Sequence, residues 1–218
     1  MPTTLAIFDL DGTLVDSFPW FLTVVNDIAR EYGFREIADR DVEPLRHAGP
    51  REIMRRLEVP MWKLPAIARR MRALKREQVD ALSLFSGVPA MLQTLHEAGL
   101  TLALVTSDSE DNARRQLGGH ASLFAHYACG ASLFGKTAKF KSILRRARAT
   151  AAQTIAIGDE VRDIEAARAA GIECGAVTWG YSAAHALRAM QPDLMFETMN
   201  DIAERLAPGA AAVRPHSP

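Results

Sequence analysis

The run Leu5-Ala6-Ile7-Phe8-Asp9-Leu10-Asp11-Gly12-Thr13-Leu14-Val15-Asp16 carries the pattern from which the fold is inferred. Its first four residues are apolar strand formers without polar alternation, which is typical of a strand buried on both faces of a parallel sheet. Asp9 and Asp11 follow, and side chains two positions apart in an extended chain point to the same side. Because open α/β sheets bind ligands beyond the carboxyl ends of their strands, the pattern predicts two neighbouring carboxylates at a binding site.

The two carboxylates favour a hard cation, because like charges at close range repel each other and oxygen ligands suit Mg²⁺. Gly12 permits a sharp turn out of the strand and leaves backbone N–H groups open to an anion. Thr13 adds a hydroxyl. A strand end with an ordinary acidic turn is the alternative, since Asp-Gly is a frequent turn signal.

The complete stretch resembles motif I of the haloacid dehalogenase-like (HAD) hydrolases, which reads Asp-x-Asp-Gly-Thr behind an apolar strand. The resemblance implies that Asp9 is a nucleophile and that Asp11 is a general acid/base. Gly12 and Thr13 are the candidate substrate-binding residues of this motif. Further motifs of the family are then expected in order along the chain.

The arrangement of strand and helix patterns predicts an α/β fold, a Rossmann-like parallel sheet with helices on both faces, plus a small all-α cap domain. The core is expected to comprise residues 1–16 and 83–207. The helix-only block 17–82 is the candidate cap, with helices expected from the N-cap Ser17 to Gly33 and over 41–46, 50–57 and 65–81. The basic face of the last helix is expected to be solvated, with an acidic partner as the alternative. The tail 208–218 is rich in Ala, Pro and Gly and is expected to be mobile.

The second apolar strand, 100–105, ends in Thr106-Ser107-Asp108-Ser109. A hydroxyl at this point can donate to a phosphate oxygen beside a helix N-terminus, although a simple N-cap is the alternative. In this position the segment resembles HAD motif II, which implies that Thr106 contacts the phosphoryl group and that Ser107 contributes neighbouring contacts. A weaker strand is expected around 127–131.

A lysine at the start of the next helix is poorly placed for the helix dipole, so an anionic neighbour is expected there. In the HAD family, motif III is a lysine at this point that neutralises the nucleophile and the phosphoryl oxygens. Lys136 is the candidate. Lys139 and Lys141 are rivals, because the common Lys-Pro signature is absent.

The strand 154–157 is followed by Gly158-Asp159-Glu160-Val161-Arg162-Asp163, which resembles HAD motif IV, Gly-Asp-x-x-x-Asp. Helix capping alone is the alternative, because acidic groups are favourable in a first helical turn. The resemblance implies that Asp159 ligates Mg²⁺ directly. Asp163 and Glu160 are expected to act through water or to orient Lys136. The candidate metal residues are therefore Asp9, Asp11 through its backbone carbonyl, Asp159 and Asp163.

Three cap residues, Arg46, His47 and Arg51, are candidates to contact an anionic substrate. For His47 an ordinary surface or structural histidine is the alternative, and it is the more common role. Near the other end of the chain, Trp179-Gly180-Tyr181 resembles a segment of phosphoglycolate phosphatase-like family members.

These resemblances imply a Mg²⁺-dependent phosphatase that hydrolyses a small, phosphoglycolate-like phosphomonoester through an aspartyl phosphate on Asp9. Asp11 is expected to be kept protonated at first by its like-charged neighbour. A phosphotransferase or sugar-phosphate mutase of the same fold is one alternative. Mutases carry a histidine soon after motif I, where this chain has Phe18-Pro19-Trp20-Phe21. A non-catalytic HAD-fold binding or regulatory module is the other alternative.

The composition of the chain gives no electrostatic reason to expect nucleic acid or a membrane as a partner, since 26 basic residues balance 26 acidic ones. No apolar run reaches membrane-spanning length, and no signal peptide is visible. Cys129 and Cys174 are expected to be buried free thiols in a reducing compartment. We therefore expect a cytoplasmic enzyme, monomeric or homodimeric, whose partner is a small phosphorylated metabolite.

Overall fold

The computed structural model describes residues 2–130 and 135–208, which form an α/β fold around one sheet. In space the strands follow the order β3-β2-β1-β4-β5-β6, and every neighbouring pair is parallel. This is the order of a Rossmann sheet, so the predicted fold class is confirmed. The strands are β1 Leu5–Phe8, β2 Thr101–Val105, β3 Phe124–Ala128, β4 Thr154–Gly158, β5 Glu173–Val177 and β6 Leu194–Phe196.

The described residues contain ten α-helices. Four of them follow β1 in succession, before the helix that leads into β2. The first four are α1 Phe18–Tyr32, α2 Asp39–Arg46, α3 Pro50–Arg56 and α4 Leu64–Glu77. The remaining six are α5 Val88–Glu97, α6 Glu110–Leu117, α7 Lys136–Ala147, α8 Val161–Ala170, α9 Ala184–Ala189 and α10 Met199–Leu206.

Strand β1 is buried on both faces, which explains its unbroken apolar sequence. Ala6 and Phe8 belong to the core cluster that includes residues of α5, α6 and α10. Leu5 and Ile7 belong to the opposite cluster, with residues of α7, α8 and α9. Because side chains alternate between faces along a strand, helices on both faces require apolar residues at every position.

Helices α1–α4 contribute to an apolar cluster of their own, which corresponds to the predicted small all-α cap. Its buried members are Val25, Ile37, Leu45, Leu57 and Val59. Helix α1 ends at Gly33, whose φ of 70° is the left-handed conformation that glycine adopts without strain. The exact cap boundaries at residues 17 and 82 stay a prediction.

Three local predictions need correction. Strand β3 begins at Phe124 rather than near Tyr127, because Phe124 pairs with Leu102 and packs edge-on against Phe8. Helix α4 ends at Glu77, and a separate 3₁₀ turn covers Val79–Ala81. The Ser17 side chain makes no capping hydrogen bond to α1. The end of the predicted β3 strand at residue 131 and the tail 209–218 lie outside the described residues.

Both cysteines are free thiols, as predicted. Cys174 is buried in β5, whereas Cys129 is half-buried after β3. Burial raises the pKa of Cys129 to about 11 and that of Cys174 to about 12, so both thiols are protonated at neutral pH. Among the described residues, no helix combines the length and apolar character that crossing a membrane requires.

The Gly175→Ala substitution tests how tightly β5 packs. A Cβ at Gly175 would lie 2.6 Å from Cε2 of Phe196, so the variant is expected to lose about 1–3 kcal/mol of unfolding free energy. Urea denaturation would measure this loss. Gly119→Ala is the matched control, because its Cβ would meet no atom within 4 Å; equal losses in the two variants would contradict the packing argument.

Candidate active site

Asp9 stands directly after β1 and is almost completely buried. Its backbone N–H donates to the carbonyl of Ile157 in β4, with N···O at 2.9 Å. The parallel register pairs Phe8 with Ile157, so the two chains leave the sheet side by side. This pairing brings the acidic residue after β1 next to Asp159, which follows β4.

Asp9, Asp159 and Asp163 form a buried acidic cluster in which one oxygen from each carboxylate lies within 4.8 Å of the others. Burial raises the pKa of Asp9 to about 6, and burial with neighbouring acids raises the pKa of Asp159 well above its ordinary value. Three clustered carboxylate oxygens are the donors that a hard divalent cation binds. The residues present therefore fit Mg²⁺, and they include three of the four predicted metal residues.

The Asp159 carboxylate is held by two donors from different segments. Thr13 Oγ1 donates to Oδ1 at 2.8 Å, and the backbone N–H of Tyr181 donates to Oδ2 at 2.8 Å. A Cβ on Gly12, whose φ is +74°, would lie 2.2 Å from Asp159 Oδ2, and a Cβ on Gly180 would lie 2.2 Å from Asp159 Cβ. Only glycine therefore fits at positions 12 and 180, where the backbone packs directly against Asp159. The Thr13 hydroxyl donates to the same carboxylate.

Lys136 is the motif III lysine that the geometry favours. Its Nζ lies 2.7 Å from Asp9 Oδ2 and also contacts Asp163. Burial alone would lower the pKa of Lys136, but Asp163 and Asp9 raise it above its ordinary value. Of the two rivals, Lys139 donates to the carbonyl of Cys129, and Lys141 is exposed on α7.

Helix α8 adds a second, half-buried cation that the sequence did not single out. Arg162 pairs with Glu160, and the acids Glu160, Asp163 and Asp9 raise its pKa, although burial alone would lower it. Glu160 and Asp163 also form a reciprocal capping box at the start of α8. Asp163 therefore caps the helix and contacts Lys136 at once, so the capping and functional interpretations are compatible.

Asp11 is not a member of the buried acidic cluster, and it pairs instead with the cap residue Lys75. The Lys75 ammonium contacts Asp11 Oδ1 and lies 2.9 Å from Asp108 Oδ2. Burial tends to raise the pKa of Asp11, but Lys75 outweighs it and lowers the pKa below its ordinary value. The prediction that Asp9 keeps Asp11 protonated is therefore wrong for this arrangement. The prediction of a solvated basic face on α4 is wrong for Lys75, which is 4% exposed.

The motif II residues lie at the carboxyl end of β2 as predicted. Thr106 is buried, and its Oγ1 accepts from the Asp108 N–H at 3.0 Å. A hydroxyl that accepts one hydrogen bond still has its own hydrogen to donate, so Thr106 can serve a phosphate oxygen. The Ser107 carbonyl accepts from Arg72 of the cap at 3.2 Å.

Two of the three cap residues that are candidates for substrate contact link the cap to the core. Arg46 Nε and Nη2 donate to the carbonyls of Tyr181 and Gly180, each at 3.0 Å. His47 Nδ1 lies 2.7 Å from Nε2 of His185. Arg51 lies exposed on α3. Their contact with substrate stays a prediction.

The chain matches the family model of the haloacid dehalogenase-like hydrolases over residues 6–177. It is 35% identical to a phosphoglycolate phosphatase of Synechococcus elongatus, over 90% of this chain and 93% of the relative. It is 34% identical to a phosphoglycolate phosphatase of Xanthomonas campestris, over 80% of this chain and 83% of the relative.

Two solved structures share the fold. A "predicted phosphoglycolate phosphatase" of Haemophilus somnus 129pt matches with a TM-score of 0.73 and 24% identity, over 93% of this chain and 97% of that one. A "predicted phosphatase" of Clostridium acetobutylicum matches with a TM-score of 0.80 and 18% identity, over 94% of this chain and 99% of that one. At these identities the likeness concerns the fold.

The acidic cluster generates a prediction about metal binding. Because the native pKa of Asp9 lies near 6 and above that of the unfolded chain, the metal-free protein should lose stability as the pH rises through 6. Mg²⁺ should offset this loss, so it should raise the thermal midpoint more at pH 8 than at pH 5. Differential scanning fluorimetry would measure both shifts.

The control pair for this metal prediction exchanges a single carboxylate. Asp159→Asn should abolish the Mg²⁺-dependent shift, whereas Asp80→Asn should keep it, because the Asp80 side chain is 99% exposed. A shift that survives in Asp159→Asn would assign the stabilising ion to another place.

Proposed function

We propose that this chain, which belongs to the haloacid dehalogenase-like hydrolases, is a Mg²⁺-dependent phosphatase of small phosphomonoesters. The observation that carries the proposal is the environment of Asp9. Its buried carboxylate lies 2.7 Å from Lys136 Nζ and within one 4.8 Å cluster with Asp159 and Asp163. A nucleophilic carboxylate, a fixed ammonium and two further acids are the groups that phosphoryl transfer to a side chain requires.

In the first half of the reaction, an Asp9 oxygen attacks phosphorus and the bond from phosphorus to the ester oxygen breaks. The product is an aspartyl phosphate and an alcohol, whose oxygen takes a proton from Asp11. Because Lys75 lowers the pKa of Asp11 and so favours its ionised form, release of Asp11 from that lysine would favour this step. Lys136 and the Thr106 hydroxyl stabilise the charge on the phosphoryl oxygens.

In the second half, a water oxygen attacks phosphorus and the bond between phosphorus and Asp9 breaks. Asp11 takes the proton of the water, which frees inorganic phosphate. Asp9, Asp159 and Asp163 would hold Mg²⁺, and the ion would supply positive charge that offsets the negative charge of the reacting groups. Thr13 and the Tyr181 N–H keep Asp159 oriented for that task.

Phosphoglycolate or a similar small phosphate is the substrate that we propose. The named activity of the Synechococcus elongatus relative supports this class. So does the segment 179–181, whose Trp179 Nε1 donates to the Thr13 carbonyl at 3.1 Å and therefore lies against motif I. Two free cysteines agree with a reducing, cytoplasmic location.

The Asp9→Asn variant tests the nucleophile. Against a panel of small phosphomonoesters that includes 2-phosphoglycolate, wild type should release phosphate with Mg²⁺ and lose this activity with EDTA. Asp9→Asn should lose it by at least about 10³-fold, since covalent catalysis is removed. Asp16→Asn is the control, because Asp16 is an exposed carboxylate of the same motif segment.

Other outcomes would point to the alternative functions. Transfer of the phosphoryl group to an added alcohol or sugar in preference to water would identify a phosphotransferase or mutase. Absence of any turnover by folded wild type would favour a binding module. Turnover that persists in Asp9→Asn would exclude the aspartyl-phosphate mechanism.

A further inference from the structure

Lys75 is a buried cation that belongs to the cap but contacts two acids of the core. It lies near the end of α4, and its Nζ bridges the carboxylates of Asp11 and Asp108. A buried lysine is costly unless its charge is compensated. Here one ammonium compensates two carboxylates that come from the ends of different strands.

Besides Lys75, three donors of the core hold the Asp108 carboxylate. Its Oδ1 accepts from the Ser109 N–H at 2.7 Å and from Asn112 Nδ2 at 2.8 Å, and its Oδ2 accepts from Gln116 Nε2 at 3.3 Å. These donors all lie in α6 or at its N-cap. Asp108 therefore offers Lys75 an acceptor whose position does not depend on the cap.

The backbone of α4 is docked on the same segment of the core. Asn112 Nδ2 donates to the Arg72 carbonyl at 3.0 Å, and Arg115 Nη1 donates to the Arg76 carbonyl at 3.1 Å. Arg72 itself donates to the Ser107 carbonyl. These contacts lie on both sides of Lys75 along the helix. The packing of α4 on the core therefore determines where the Lys75 ammonium lies relative to Asp11.

We propose that Lys75 is a positioning residue for the second half of the reaction. Anchored on Asp108, it holds one oxygen of Asp11 so that the other oxygen can take the proton of the water that attacks the aspartyl phosphate. An ionised carboxylate that accepts from an ammonium retains free lone pairs but has no proton to give, so the contact fits the base rather than the acid role of Asp11. This inference rests on the proposed function above.

The Lys75→Met variant tests this inference through the fate of the aspartyl phosphate. With p-nitrophenyl phosphate, the variant should show a burst of nitrophenol of about one equivalent per enzyme, followed by a steady rate lowered by about 10- to 100-fold. Acid quench with ³²P-labelled substrate should trap more phosphoenzyme than in wild type. The trapped label should be sensitive to hydroxylamine, as an acyl phosphate is.

Two further variants separate positioning from packing. Arg70→Met removes a cation from the same helix, where Arg70 pairs with Glu31 near the surface, and should behave as wild type. Lys75→Arg keeps a donor and should restore part of the steady rate. Asp108→Asn should show a smaller burst of the same kind, because Lys75 then loses its anchor.

The outcomes distinguish this inference from the proposed function. A lowered steady rate in Lys75→Met without a burst, or without extra phosphoenzyme, would overturn the positioning role and leave a packing role. A rate equal to wild type would overturn it as well. If wild type formed no phosphoenzyme and turned over no substrate, or if Asp9→Asn were labelled, the proposed function itself would fail.

Discussion

The parallel pairing of β1 with β4 is the constraint on which the site depends. It places Asp9 and Asp159 at adjacent strand ends, inside the protein, where like charges repel and water cannot screen them. Such a pair persists only if cations and donors are built around it. Lys136 and Arg162 supply the positive charge from α7 and α8. The core around motif I is therefore organised to tolerate this repulsion.

The two lysines of the site, Lys136 and Lys75, belong to different parts of the fold. Lys136 opens α7 and is part of the core, so both partners of its contact with Asp9 belong to the core. Lys75 lies on α4, so its contact with Asp11 joins the cap to the core. A cation of the core thus serves the nucleophile, and a cation of the cap serves the candidate acid/base. A residue that must both give and accept a proton benefits from a partner that can leave.

The sequence predicted the features that depend on strand ends and failed where a contact joins distant elements. Asp9, Asp159 and Asp163 were found because parallel strands bring their carboxyl ends together, whatever the intervening chain. Lys75 was missed because it lies 64 residues from Asp11, and helical periodicity assigns it to a basic face. The role of Arg162 had no sequence signal, since the acids that act on it come from two separate segments. No sequence pattern gives the docking angle of the cap.

The cap contacts the site at two places. Asp159 is enclosed by Gly12 and Gly180 so closely that no side chain fits at either position. Yet the carbonyls of Gly180 and Tyr181 accept from Arg46 of the cap. The cap therefore contacts the loop whose Tyr181 N–H orients Asp159, and it also contacts Asp11. Undocking would break both sets of contacts at once, and this couples access to the site with the completion of its chemistry.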